Sequence, residues 1–163
     1  MNLKKVYEYA LQREREGRDF FESNAKRMSH AAATGIFLTL VAEEEKHIAT
    51  IQGLLSALES GRAGEARPEG ELAGHGFFSE RAASEDLDQT VIESMIPDVT
   101  ILRMAYLIER DFAEFYEMAA ARAEGDAQKV LNSLALWERG HERLFKGIHE
   151  RVYQEYMEMP WGG

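Results

Sequence analysis

The sequence predicts an all-α protein. Its expected architecture is a four-helix bundle of two helical hairpins joined by a long crossover that contains a short helix. Three observations carry this expectation. Apolar residues recur at three- and four-residue intervals over four long stretches. Only three prolines, Pro68, Pro97 and Pro160, interrupt 163 residues, so long stretches are free to stay helical. A glycine-rich segment, about 61–83, separates the first two stretches from the last two. A crossover of that length favours an up-down-down-up bundle, because a short loop suffices for simple antiparallel packing.

The first helix is expected over about 2–28, capped by Asn2. Leu3, Tyr7, Ala10, Leu11, Phe21, Ala25 and Met28 keep helical spacing, and Glu14 interrupts their stripe. Ser29 is placed to cap a second helix over 29–60, whose apolar face from Ile36 to Leu58 is broken by Glu44 and His47. So short a connection implies an antiparallel hairpin. Residues 61–97 form the crossover. Within it Ser84-Glu85-Asp86-Leu87 opens a short helix running to about Met95, and Phe77 and Phe78 are candidates to pin the segment to the core. The third long helix is expected over 98–124, with Glu109 in a stripe of Leu102, Ala105, Phe112, Ala113 and Tyr116. Gly125-Asp126 marks a break, Asp126 being the expected N-cap of a fourth helix over 127–156. That helix carries Glu138 and His141 among Leu131, Leu134, Trp137, Leu144 and Phe145. The whole reads as one domain, 1–163.

Composition narrows the function. A net charge of -10 argues against nucleic acid or an anionic membrane surface as partner. Absence of cysteine excludes disulfides, thiolate zinc sites, iron–sulfur clusters and cysteine nucleophiles within this sequence. The first residues lack the apolar core of a signal peptide and no run reaches the length of a membrane span, so a cytoplasmic location is the default expectation.

The four interruptions share a pattern. Glu44-Glu45-Lys46-His47 and Glu138-Arg139-Gly140-His141 each set a carboxylate and an imidazole three residues apart, on one helix face. Either pair alone is an unremarkable coincidence. Yet each is preceded, at 30 and 29 residues, by a Glu in an apolar stripe: Glu14 and Glu109. Each of those is followed at six and seven residues by aromatics, Phe20-Phe21 and Phe115-Tyr116. The two halves therefore repeat in ligand type, order and spacing. Four carboxylates at one level of an apolar interior repel one another and lose their hydration. A salt-bridged polar layer would need inward lysines or arginines, which the stripes do not provide. Two divalent cations balance four carboxylates, and two neutral imidazoles complete the set. Glu14, Glu44, His47, Glu109, Glu138 and His141 are thus the candidate metal ligands. A donor set rich in oxygen, with one nitrogen per metal, suits iron or manganese; zinc fits such sites but brings no redox chemistry.

Bundles with one Glu from each of two helices and Glu-x-x-His from each of the others hold paired metals. Here the chain resembles the ferritin-like di-iron carboxylate superfamily, and within it rubrerythrin-like proteins. The resemblance rests on Glu14-Arg15-Glu16-Gly17-Arg18-Asp19-Phe20-Phe21 with Ala42-Glu43-Glu44-Glu45-Lys46-His47. In the second half it rests on Glu109-Arg110-Asp111-Phe112-Ala113-Glu114-Phe115-Tyr116 with Trp137-Glu138-Arg139-Gly140-His141. It implies two iron ions, bridged by Glu44 and Glu138, with Glu14 and His47 on one metal and Glu109 and His141 on the other. Two departures stand out. The family usually carries a further Glu where this chain has Phe112, and a four-cysteine rubredoxin domain that this sequence lacks.

The implied activity is that of a non-haem di-iron oxidoreductase reacting with peroxide or dioxygen, supplied with electrons by an external donor protein. The alternative is an iron-binding, ferroxidase or storage module within a larger assembly; a third reading is a metal-free helical interaction protein. A homodimer is the family-level expectation. Tyr116 is the candidate catalytic residue, as a hydrogen-bonding or redox partner of the metals, against the alternative of a satisfied core tyrosine. Trp137 reads as core, and His149 as core or surface.

Overall fold

A computed structural model describes residues 2–61 and 89–160. Its elements are α1 (Leu3–Ala25), α2 (Ala31–Glu59), α3 (Gln89–Ser94), a 3-10 turn (Ile96–Asp98), α4 (Val99–Ala120) and α5 (Gly125–Glu158). α1 packs along α2 and α4 along α5, giving the two hairpins; α3 and the 3-10 turn lie against α5. Most of the expected crossover, with Phe77, Phe78 and the Ser84 helix start, falls outside the described residues, as does Trp161.

The apolar core is split into two clusters. One contains Phe21, Phe37, Leu40, Leu102, Phe145 and Ile148, with Ile92 and Met95. The other contains Tyr7, Ile51, Leu54, Phe112, Tyr116, Leu131 and Leu134. Following each helix from one cluster to the other fixes the topology. α1 and α5 run from the second cluster to the first, while α2 and α4 run from the first to the second. This is the up-down-down-up order, with α2 ending at the second cluster and α3 lying at the first. Each long helix crosses the gap between the clusters once, and it is there that the polar interruptions of the stripes fall.

The helix ends differ from expectation for local reasons. Asn2 caps α1 as expected, its side chain accepting from the Lys5 N–H at 3.2 Å. α1 stops at Ala25, and α2 is capped by His30, whose Nδ1 accepts from Ala32 N–H at 3.0 Å. Ser29, the expected cap, instead gives its N–H and hydroxyl to the Asp98 carboxylate at 3.0 and 3.1 Å. That carboxylate, buried at the start of α4, makes no cap bond to its own helix. It ties the first hairpin's turn to the entry of the second hairpin. α4 ends at Ala120 rather than near 124. α5 begins at Gly125, with Glu124 at the cap position and Asp126 in the first turn, where a carboxylate complements the helix dipole. Gly125 has φ 62°, a backbone conformation that favours glycine.

Candidate metal centre

Six side chains fill the gap between the two clusters: Glu14 of α1, Glu44 and His47 of α2, Glu109 of α4, and Glu138 and His141 of α5. Helical geometry puts them at one level. In α1 and α4 the Glu sits a whole number of turns from core residues at either side, Ala10 and Phe21, Ala105 and Phe112. In α2 and α5 the Glu-x-x-His spacing presents both side chains on one face. All six are buried, Glu14, Glu44, His47, Glu109 and Glu138 at 0% exposure and His141 at 4%.

They form two adjacent, overlapping groups. Glu14, Glu44, His47 and Glu138 offer donor atoms within 4.8 Å of one another, as do Glu44, Glu109, Glu138 and His141. Glu44 and Glu138 belong to both. His47 Nδ1 lies 3.2 Å from Glu14 Oε2, 3.3 Å from Glu44 Oε2 and 3.0 Å from Glu138 Oε1. His141 Nδ1 lies 3.4 Å from Glu109 Oε2 and 3.3 Å from Glu138 Oε2. The Tyr116 hydroxyl donates to Glu14 Oε1. Six donors on four helices thus converge as the sequence repeat requires, and Tyr116 joins them.

The electrostatics of this layer are severe. Both oxygens of Glu44, Glu109 and Glu138 lack a hydrogen bond of acceptable geometry, and no lysine or arginine is buried among the described residues. Burial, followed by the charges of neighbouring carboxylates, pushes Glu44 and Glu109 well above the usual carboxylate range. Burial opposes the charged form of His47, but Glu138, Glu44 and Glu14 outweigh it and raise its pKa. Burial likewise opposes ionisation of Glu138, but the His47 charge beside it prevails and holds it low. Burial and then the Glu14 charge push Tyr116 far up, so its phenol stays protonated. Native proteins leave few buried polar atoms unpaired. Here a concentration of unpaired carboxylate oxygens points at one another, which fits a pair of cations and fits little else.

A family model described as rubrerythrin matches residues 5–149. The chain belongs to the rubrerythrin family. Searches of curated proteins and of solved structures return no match. Ferritin-like architecture accompanies the family, and the all-helical bundle with two hairpins and a short helix before α4 agrees with it. Phe112, where the family resemblance leads to the expectation of a further Glu, is packed against α1. Its ring lies against Gly17 of α1, where an added Cβ would come within 2.9 Å of the ring edge, and Arg13 sits over its face at 5.2 Å. Outside Phe112 and Tyr116, between α1 and α4, lies a cavity of about 260 Å³ lined also by Tyr9, Arg13, Phe115 and Met118.

Two features escaped the sequence. Trp137, read as core, is only partly buried, and its ring stacks on His47 with centroids 4.5 Å apart. Its place next to Glu138 was a signal of nearness, but its partner is on another helix. Asp98 read as a helix opener, and nothing local announces its bond to Ser29, 69 residues away. His149 lies between Tyr106 and Tyr153, far along α5 from the carboxylates.

Proposed function

We propose that this rubrerythrin-family chain is a non-haem di-iron oxidoreductase that reduces peroxide or dioxygen. The observation carrying the proposal is the pair of overlapping, buried Glu/His groups with no buried lysine or arginine among the described residues to balance four carboxylates. Glu14 and His47 would hold one ion and Glu109 and His141 the other, with Glu44 and Glu138 bridging, since those two belong to both groups. Bound iron would supply one electron per ion to a two-electron reduction of the oxidant.

The chain's own residues provide the rest. Six pre-positioned donors would hold the ions. The phenylalanine cluster of Phe21, Phe37 and Phe145, with ring centroids 5.3–5.7 Å apart, closes one side of the layer to water. Phe112 and Leu134 close the other. Tyr116, held protonated and bonded to Glu14, keeps a proton beside the reacting atoms, the arrangement a general acid needs. Electrons for re-reduction would come from an electron-donor protein. The centre would work within a homodimer.

Anaerobic loading with Fe(II), then stopped-flow mixing with peroxide or with dioxygen, tests the reading. Two Fe(II) per chain and oxidation much faster than that of free Fe(II) are expected; oxidation at the free-ion rate defeats the proposal. Tyr116→Phe is expected to keep the two-iron stoichiometry while slowing oxidation by about 10²-fold, the lower end for loss of a general acid.

A further inference from the structure

We infer that Trp137 is a positioning residue for His47, its indole taking the place of the hydrogen bond that a ligating imidazole ordinarily makes through its second nitrogen. The inference rests on the metal-centre reading above. His47 turns Nδ1 toward Glu14, Glu44 and Glu138. Its other nitrogen, Nε2, is buried without a hydrogen-bond partner. Metal-bound histidines almost always donate that second N–H to a carboxylate, carbonyl or water, which fixes ring orientation. Without it, rotation about the ring bond is broad, and the donor nitrogen is not held on the metal.

The structure offers a different restraint. The Trp137 ring lies on one side of His47 at a centroid distance of 4.5 Å and an interplanar angle of 21°. His141 lies stacked with His47 at 5.8 Å and 19°. The imidazole is therefore confined by rings rather than by a hydrogen bond. Metal ligation draws electron density from the imidazole, and an indole face attracts an electron-poor partner, so the stack favours the ligated ring over a neutral free one. The device belongs to one half of the repeat. The position matching Trp137 in the first half is Glu43, whose carboxylate pairs with Lys46 at 2.7 Å.

Calorimetric titration of the metal-free chain with Co(II) tests this without any turnover. The parent is expected to take up two Co(II) per chain. Trp137→Leu, of smaller but still apolar side chain, is expected to raise the dissociation constant of one equivalent by about 10–100-fold, the usual effect of losing an outer-shell partner of a metal ligand. The other equivalent should stay within about threefold, and Trp137→Phe, which keeps a ring, should restore most of the loss. In a Trp161→Phe background Trp137 is the single tryptophan, and its emission should change with the midpoint of the affected equivalent. Uptake of two Co(II) by parent and Leu variant with equal affinities overturns the inference and leaves the metal centre standing. Equal weakening of both equivalents, or an emission unmoved by full loading, also overturns it. Failure of the parent to bind Co(II) overturns both. If the Leu variant does not fold, the emission titration and the Phe variant still decide.

Discussion

Glu44 loses its hydration on folding and gains no hydrogen bond to replace it. A carboxyl group so placed either binds a cation or takes up a proton. Glu44→Gln removes the charge at nearly constant volume. The metal-free variant should therefore melt at a higher temperature than the metal-free parent near pH 8, while losing the rise in melting temperature that Co(II) or Fe(II) confers on the parent. Thermal scans with and without metal check both halves of the prediction. The same carboxyls set the pH dependence. Glu44, Glu109 and His47 have folded-state pKa values above their unfolded ones, so the native metal-free state binds more protons than the unfolded state. Their stabilising contribution is complete below the unfolded values and is lost as pH rises through the folded ones. Glu138 is shifted the other way, and its contribution is present above the ordinary carboxylate range. With three groups against one, the metal-free chain should lose stability from weakly acidic to alkaline pH. Urea midpoints at pH 5.5, 7 and 8.5 should fall in that order, and saturating metal should remove the trend.

At the scale of elements, α1 and α4 meet through a fitted pair, Gly17 and Phe112. Alanine is normally the better helix residue by about 1 kcal/mol. At Gly17 the added methyl would press on the Phe112 ring at 2.9 Å, and overpacking of a core costs about 1–3 kcal/mol. Gly17→Ala should therefore fail to stabilise and should lower the urea midpoint, whereas Gly17→Ala in a Phe112→Leu background should recover part of the loss. A second tie between hairpins is Asp98, which accepts from both the N–H and the hydroxyl of Ser29. α2 has its own cap in His30 and Asp98 makes no cap bond to α4, so the tie acts on the placement of one hairpin against the other.

Over the whole molecule, the candidate centre would act as a staple once metal is bound. Each four-residue group draws on both hairpins: the first combines Glu14, Glu44 and His47 with Glu138, the second combines Glu44 with Glu109, Glu138 and His141. Metal binding to the native state alone stabilises it by about 2.7 kcal/mol per site at a hundredfold excess over the dissociation constant. Loading should raise the melting temperature and chelation should reverse it. Sedimentation with iron analysis separates the two family-level roles: two irons per chain in a dimer supports turnover, while a high-order assembly with many irons per chain supports storage. No helix among the described residues is long and apolar enough to cross a membrane.

The sequence by itself determined the four long helices and the six-residue constellation. Both depend on local periodicity: an acidic residue in an apolar stripe is visible without knowing what it faces, and the internal repeat doubles the signal. It also determined that these carboxylates need a counter-charge, because their number and the scarcity of inward cations are matters of composition. Tertiary structure decided what lies between elements distant in the chain. Glu44 and Glu138 enter both groups because α2 and α5 face each other across the layer. Tyr116 reaches Glu14, 102 residues away, and Asp98 leaves its own helix to bind Ser29. Trp137 meets His47 rather than the interior of its own stripe. These are contacts of packing, fixed by how two hairpins meet, and helical spacing along one segment carries no record of them.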